Sequence, residues 1–118
     1  MLLFAVPVQC TDKTQHYSTC PDQMYMLNDL YVSVDAAKLL RYSRTRVQPK
    51  KPELCNCAGP VHVEMFIKRD RPFCAAATDG DVRLQELAVK AALKWRFTKK
   101  RQTFEGNIYG TITFNFDK

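Results

Sequence analysis

The sequence predicts an α+β fold: a small antiparallel sheet of about three strands packed on one main helix, in the order strand, strand, helix, strand. Three observations carry this. "PVHVEMFIKRD" and "NIYGTITFNF" alternate apolar and polar residues with the two-residue period of half-buried strands. Between them, "TDGDVRLQELAVKAALKWRF" repeats its apolar residues at helical spacing instead. "FCAAAT" follows the turn-like "RDRP" and supplies the remaining strand, a weak one because of its alanines.

The first 45 residues are read as an N-terminal extension, and 46–118 as the domain. "MLLFAVPVQC" is apolar, with no cationic leader and no small-x-small cleavage site. It reads as a strand or the remnant of a longer N-terminus. "QCTDKTQHYSTCPDQ" is polar and turn-like, a loop that a Cys10–Cys20 bridge would close. A short strand fits near 30–34. Asp35 then caps a short helix with Ala36, Leu39 and Leu40 on one face. In "RTRVQPKKPELCNCAG", prolines 49 and 52 forbid regular structure and favour an extended lead-in that Gly59 ends.

In the first long strand, Val61, Val63, Met65 and Ile67 face one way. His62, Glu64 and Lys68 face the other, with Phe66 the apolar exception. Asp70 and Pro72 constrain the turn. Asp79 or Asp81 can cap the main helix, and Glu86 suits its early turns. Leu84, Leu87, Ala88, Ala91 and Trp95 form one apolar stripe, which Trp95 closes as a plug where helix meets sheet. Phe97 packs beside it and Arg96 points outward. In the last strand, Ile108, Ile112, Phe114 and Phe116 share a face with Gly110 in their midst. Asn107, Tyr109, Thr111, Thr113 and Asn115 share the other. The predicted core is Leu84, Leu87, Ala91, Trp95, Phe97, Ile112 and Phe114.

Composition is that of a soluble globular chain: 118 residues, 46% apolar and 25% charged. No window reaches the roughly 18–20 apolar residues of a membrane span. The net charge of +6 favours acidic partners, whether nucleic acid, anionic lipid or an acidic protein face. It also suits a merely solvated surface. Lys90, Lys94, Arg96, Lys99, Lys100 and Arg101 would form a cationic cap at the helix end, able to meet phosphates.

Five cysteines (Cys10, Cys20, Cys55, Cys57 and Cys74) allow two disulfides and a spare thiol in an oxidising compartment, or free buried thiols. A zinc site would draw on Cys10, His16, Cys20, Cys55 and Cys57, but none of them has Cys-x-x-Cys spacing, and no metal is assigned. Histidines stand only at 16 and 62, and phosphate loops, nucleophile elbows and zincin motifs are absent. A Cys74–His62 thiol–imidazole pair across the hairpin would lack an orienting third group. The chain is therefore read as a non-enzyme without a cofactor.

Taken together, "GPVHVEMFIKRD", "LQELAVKAALKWRF" and "GNIYGTITFNF" resemble the C-terminal domain of TonB-like energy transducers over residues 46–117. The family pattern is a Gly-Val strand, a hairpin, a helix ending A-x-x-W-[RK]-[FY], and a G-x-[VI]-x-[VI]-x-F strand. "VQPKKPEL" resembles its Q-P-x-Y-P lead-in, with Lys51 in place of the tyrosine. Arg71 stands in place of the turn glycine, and Lys99 in place of a proline after W-R-F. The family's membrane anchor and Pro-rich spacer have no counterpart in the 118 residues.

The resemblance implies a TonB-like sheet on a helix and a periplasmic or cell-envelope location. It implies protein binding linked to energy-coupled transport. The partner would be an extended segment of an outer-membrane receptor or other envelope protein, added beside the last strand. Gln48 and Pro49 would belong to a receptor-contacting lead-in, and Tyr109, Thr111, Thr113 and Asn115 would line the capturing strand. A homodimer, with domain swapping open to a small domain with an exposed edge, is a further partner, and an edge covered by the N-terminal segment is the competing outcome. The alternative function is a basic module for nucleic acid or an anionic surface.

Overall fold

The computed structural model describes residues 16–21, 31–98 and 107–117. Its elements are β1 (Tyr31–Ser33), α1 (Ala36–Tyr42), β2 (Ser43–Thr45), β3 (Gly59–Lys68), β4 (Arg71–Ala77), α2 (Val82–Leu93), β5 (Arg96–Phe97) and β6 (Asn107–Phe116). The fold is α+β. Four strands form a mixed sheet in the order β1-β6-β3-β4, and β2 and β5 form a separate two-stranded ribbon.

β3 is the centre of the sheet. It pairs antiparallel with β4 on one side and with β6 on the other, from Gly59 opposite Phe116 to Ile67 opposite Ile108. Its alternation works as read: Val61, Val63, Met65 and Ile67 are fully buried against α2. From β6, Ile108, Ile112, Phe114 and Phe116 complete that layer. Phe66 is buried too, but on the opposite face. There it meets Tyr31 edge-on and stacks on Tyr109, each at 5.3 Å between ring centroids. The apolar exception in the strand thus serves a second, smaller cluster, which includes Cys74.

The sheet exceeds the expected three antiparallel strands. β1 joins β6 in parallel, Tyr31 beside Asn107 through Ser33 beside Tyr109. Val34 and Leu39 carry the following turn and α1 into the main core. Residues 31–45, set apart from the domain in the sequence reading, therefore build part of its sheet, core and ribbon. A three-residue strand has too few positions to show a period, and its place is fixed only by the strand it meets.

α2 starts at Asp81, whose carboxylate accepts from the Arg83 amide at 2.9 Å. Asp79, the other candidate cap, instead accepts from the backbone and ring of His62. The buried face is broader than the predicted stripe. Gln85, Val89 and Ala92 are buried with Leu84, Ala88 and Ala91, while Leu87 is only half-buried at its margin. A helix lying on a sheet needs an apolar sector of about 100° or more, wider than the i, i+3, i+4 row. Gly80 lets the helix start close to β3: a Cβ there would lie 2.7 Å from Val61 Cγ2 and 2.9 Å from the Pro60 oxygen.

The β3–β4 turn is Arg69-Asp70, since Lys68 pairs with Arg71. Arg69 carries the positive φ of 61°. Pro72 does not shape the turn as expected. It lies within β4 opposite Ile67, where the register shifts. Gly59, expected as a stop, is the first residue of β3.

Residues 17–20 run along the outer edge of β4. The Ala77 amide donates to the Tyr17 oxygen and the Thr19 amide to the Ala75 oxygen, both at 2.9 Å. The Ala75 amide donates to Thr19 Oγ1 at 3.0 Å. Buried Gln85 holds this strap from beneath. Its oxygen accepts from the Tyr17 amide at 2.9 Å, and its nitrogen donates to the Gly80 oxygen at 3.0 Å. Cys20 is bonded to Cys74 of β4, with Cα atoms 5.0 Å apart. This overturns the Cys10–Cys20 loop: β4 brings Cys74 to Cys20 from 54 residues away. Cys10 lies outside the described residues, and Cys55 and Cys57 form the second pair.

Candidate functional site

Which edge of the sheet is open follows from strand alternation. The Val34 amide donates to the Tyr109 oxygen at 2.9 Å, so Tyr109 turns its backbone groups away from β3. With a period of two, Thr111, Thr113 and Asn115 turn theirs the same way, while Gly110, Ile112 and Phe114 face the β3 ladder. Past Val34, no described residue hydrogen-bonds the outward amides and carbonyls of Thr111, Thr113 and Asn115. Their side chains are exposed. The stretch spans about 13 Å at ordinary strand rise.

At the other edge of the sheet, the strap of residues 17–20 covers the Ala75–Ala77 end of β4. Among the described residues the N-terminal region thus covers the Ala75–Ala77 end of one edge and the start of the other. Tyr109, predicted to line the capturing strand, belongs to the covered part. Its carbonyl is taken by Val34, and its ring stacks on Phe66.

A cleft of about 430 Å3 adjoins the open stretch. Ala36 and Leu40 of α1 form one wall, and Arg46 and Gln48 of the lead-in another. Trp95, Ile112, Thr113 and Phe114 complete the lining. Leu40 is 38% exposed, so of the α1 face that the sequence suggested only Leu39 enters the core. Trp95 is buried beneath the cleft. Its Nε1–H donates to the Val47 oxygen at 3.0 Å, and its ring stands edge-on to Phe114 at 5.9 Å. The indole fixes the lead-in directly before Gln48, which places Gln48 at the cleft. Pro49 follows it, half-buried and outside the lining. Lys51 Nζ donates to the Asp117 oxygen, which ties the lead-in to the end of β6.

Arg46 was not among the residues singled out, and only a helix end and a lead-in meeting in space bring it here. Its guanidinium donates to Ser43 Oγ at 2.7 Å and to the Leu40 oxygen at 3.1 Å. The cleft offers apolar floor and walls, a guanidinium, an amide side chain and open backbone groups. That suits an extended polypeptide.

The remaining candidates are dispersed. Lys90 pairs with Glu86 at 2.7 Å, one helical turn earlier. Arg96 does not point outward as expected. It is half-buried, and its guanidinium donates to the carbonyls of Leu93 and Trp95 at 3.1 and 2.7 Å. Lys99, Lys100 and Arg101 lie outside the described residues. His62 and Asp79 pair at 2.7 Å on the exposed face. That hydrogen bond holds the Asp79 carboxyl below its usual range. Cys74 faces Phe66 in the ladder and is bonded to Cys20, so the suggested thiol–imidazole pair with His62 does not form. Cys20, Cys55 and Cys57 sit in two different pairs, and among the described residues no three His, Cys, Asp or Glu side chains converge on a metal position.

Comparison with protein-family models, with curated proteins and with solved structures finds no match to this chain.

Proposed function

We propose that this chain is a non-catalytic protein-binding domain of the TonB-like kind, acting in the cell envelope. It takes an extended segment of an outer-membrane transporter or another envelope protein as an added strand along Thr111–Asn115. The observation that carries this reading is the edge itself, three residues whose outward backbone groups have no partner among the described residues, beside a cleft. An unpaired edge is a template for another strand, and main-chain hydrogen bonds would supply most of the affinity. Side chains of the added strand that point toward the helix layer would enter the cleft above Trp95. Those on the other face would lie beside Thr111, Thr113 and Asn115. Two disulfide-bonded cysteine pairs fit an oxidising compartment such as the periplasm.

The test is titration with extended peptides from envelope receptors, followed through the amide resonances of Thr111 and Thr113. Thr111→Pro removes an outward donor but no bond of the β3 ladder, so the domain stays folded while peptide affinity falls roughly tenfold. Ile112→Pro, by contrast, breaks the ladder and unfolds the sheet. If no peptide shifts the two amides, or if the Thr111→Pro protein binds as well as the parent, strand capture at this edge is wrong.

A further inference from the structure

The two disulfides have different surroundings. Cys20–Cys74 joins the strap to β4, and Cys74 is 2% exposed. Backbone bonds beside it, from the Thr19 amide to the Ala75 oxygen and from the Ala77 amide to the Tyr17 oxygen, hold the two segments together whether or not the sulfurs are joined. Cys55–Cys57 encloses a single residue, Asn56. Its Cα atoms are 5.3 Å apart, a separation open to residues i and i+2 of one extended chain because their side chains share a face. A bridge around one residue restrains the unfolded chain far less than a bridge across 54.

The short bridge is also accessible. A turn in which the Cys55 amide donates to the Pro52 oxygen at 3.2 Å presents Cys55 at the surface, after a fully exposed Leu54. Cys55 is half-buried and Asn56 exposed, while Cys57 is 4% exposed and belongs to the main core. An open cleft of about 440 Å3 runs along the pair, with Lys51, Glu53 and Asp81 at its rim. Lys51 is engaged by the Asp117 oxygen and Asp81 by Arg83. Exposed disulfides are the more oxidising and more labile ones.

We infer that Cys55–Cys57 is an exchangeable disulfide that accepts two electrons from a pair of cysteine thiols on another polypeptide. A thiolate of the incoming pair attacks Cys55 Sγ in the cleft. The Cys55–Cys57 bond breaks, and Cys57 leaves as a thiolate that takes up a proton. A neutral thiol is a small apolar group, which the core around Cys57 accommodates. The second incoming thiolate then attacks the partner sulfur of the mixed disulfide and releases Cys55, which takes up the second proton. Two electrons and two protons have passed to this chain, and the partner leaves with a disulfide. Each chain accepts one pair, so the exchange is stoichiometric. It uses no residue of the β6 edge, so it goes beyond strand capture, and failure of one leaves the other standing.

Equilibration of the full chain in buffers of reduced and oxidised dithiothreitol tests this, with acid quenching, alkylation and peptide mass mapping. Cys55 and Cys57 should open at a reduced-to-oxidised ratio at least about tenfold lower than Cys20 and Cys74 require. At equilibrium, access alone no longer separates the two pairs. Both pairs opening at one ratio, or Cys55–Cys57 opening last, would overturn the inference. Reduced glutathione, which brings one thiol, should be captured on Cys55 in preference to Cys57 by roughly tenfold, since attack follows access. A predominant adduct on Cys57 would refute the order of attack. Without oxygen, a reduced peptide carrying two cysteines should be oxidised to about one equivalent per chain, and Cys55→Ala/Cys57→Ala should leave it reduced. Equal oxidation by that variant would assign the electrons to other cysteines and overturn the inference. The dithiothreitol series needs no variant, so it decides the matter should the double variant melt early.

Discussion

Gly110→Ala should loosen the N-terminal addition from the sheet. Gly110 faces the helix side of β6, where α1 approaches most closely. A Cβ at this position would lie 2.6 Å from the Val34 carbonyl oxygen and 2.7 Å from Leu39 Cδ1. Ordinary contacts to carbon begin well beyond 3 Å, so either β6 shifts or the Val34–Leu39 segment retreats. β6 is held by β3 along its whole length, whereas the segment is held by a three-residue strand and one short helix. The segment is the weaker partner and should move. Overpacking of this kind costs about 1–3 kcal/mol. Full release of Leu39, completely buried now, would cost about 2–3 kcal/mol by transfer. Alanine's better strand propensity returns about 0.5–1 kcal/mol. A net loss of about 2 kcal/mol should lower the melting temperature by about 6–10 °C in a domain of this size. Hydrogen exchange reads the same event locally: the Val34 amide, bonded to Tyr109 now, should lose protection while amides of the β3–β4 ladder keep theirs. If the variant melts with the parent and Val34 stays protected, the close-approach account of this glycine is wrong.

Three further perturbations test the remaining contacts. Breaking Cys20–Cys74 with two serines removes a crosslink across 54 residues and should cost about 4 kcal/mol, against about 1.5 kcal/mol for Cys55–Cys57, in urea denaturation of the two double variants. Trp95→Ala should cost about 3–5 kcal/mol, because it empties the space against Phe114 and leaves the Val47 oxygen without its donor; fluorescence-independent circular dichroism melts would show it. The Arg83 side chain and amide hold the Asp81 carboxyl at about 2, down from 3.8. A carboxyl depressed on folding stabilises above its unfolded value and loses that contribution as pH falls through the folded one. Stability should therefore decline between about pH 4 and pH 2, and Asp81→Asn, which keeps a capping oxygen, should flatten the decline in a denaturation series over that window.

Much of the architecture is legible along the chain. Val61, Val63, Met65 and Ile67 announce a half-buried strand, and all four are buried. Ile108, Ile112, Phe114 and Phe116 do the same for β6, and the stripe from Leu84 to Trp95 locates the helix. Asp35 and Asp81 each cap the helix that follows. These features are local. A period of two or 3.6 residues, or an acceptor placed before a helix, is written within a few consecutive positions and needs no distant partner.

The site was legible only in part. Thr111, Thr113 and Asn115 could be placed on the polar face of a long strand, but alternation cannot say which stretch of that strand already has a neighbour. Val34 meeting Tyr109 closes its beginning, and the strap of residues 17–20 covers the end of β4 at the far edge of the sheet instead. The partner of Cys20, the bonds that Arg96 makes to nearby carbonyls, and the convergence of Arg46, Gln48 and Trp95 on one cleft were likewise decided by the folded chain. The sequence by itself determined which segments become strands and helices and which of their faces are apolar, because those depend on residues a few positions apart. Only the tertiary structure decided which stretch of β6 stays unpaired among the described residues and which side chains converge on the cleft beside it. Both depend on contacts between segments tens of residues apart, where chain connectivity constrains little and packing chooses.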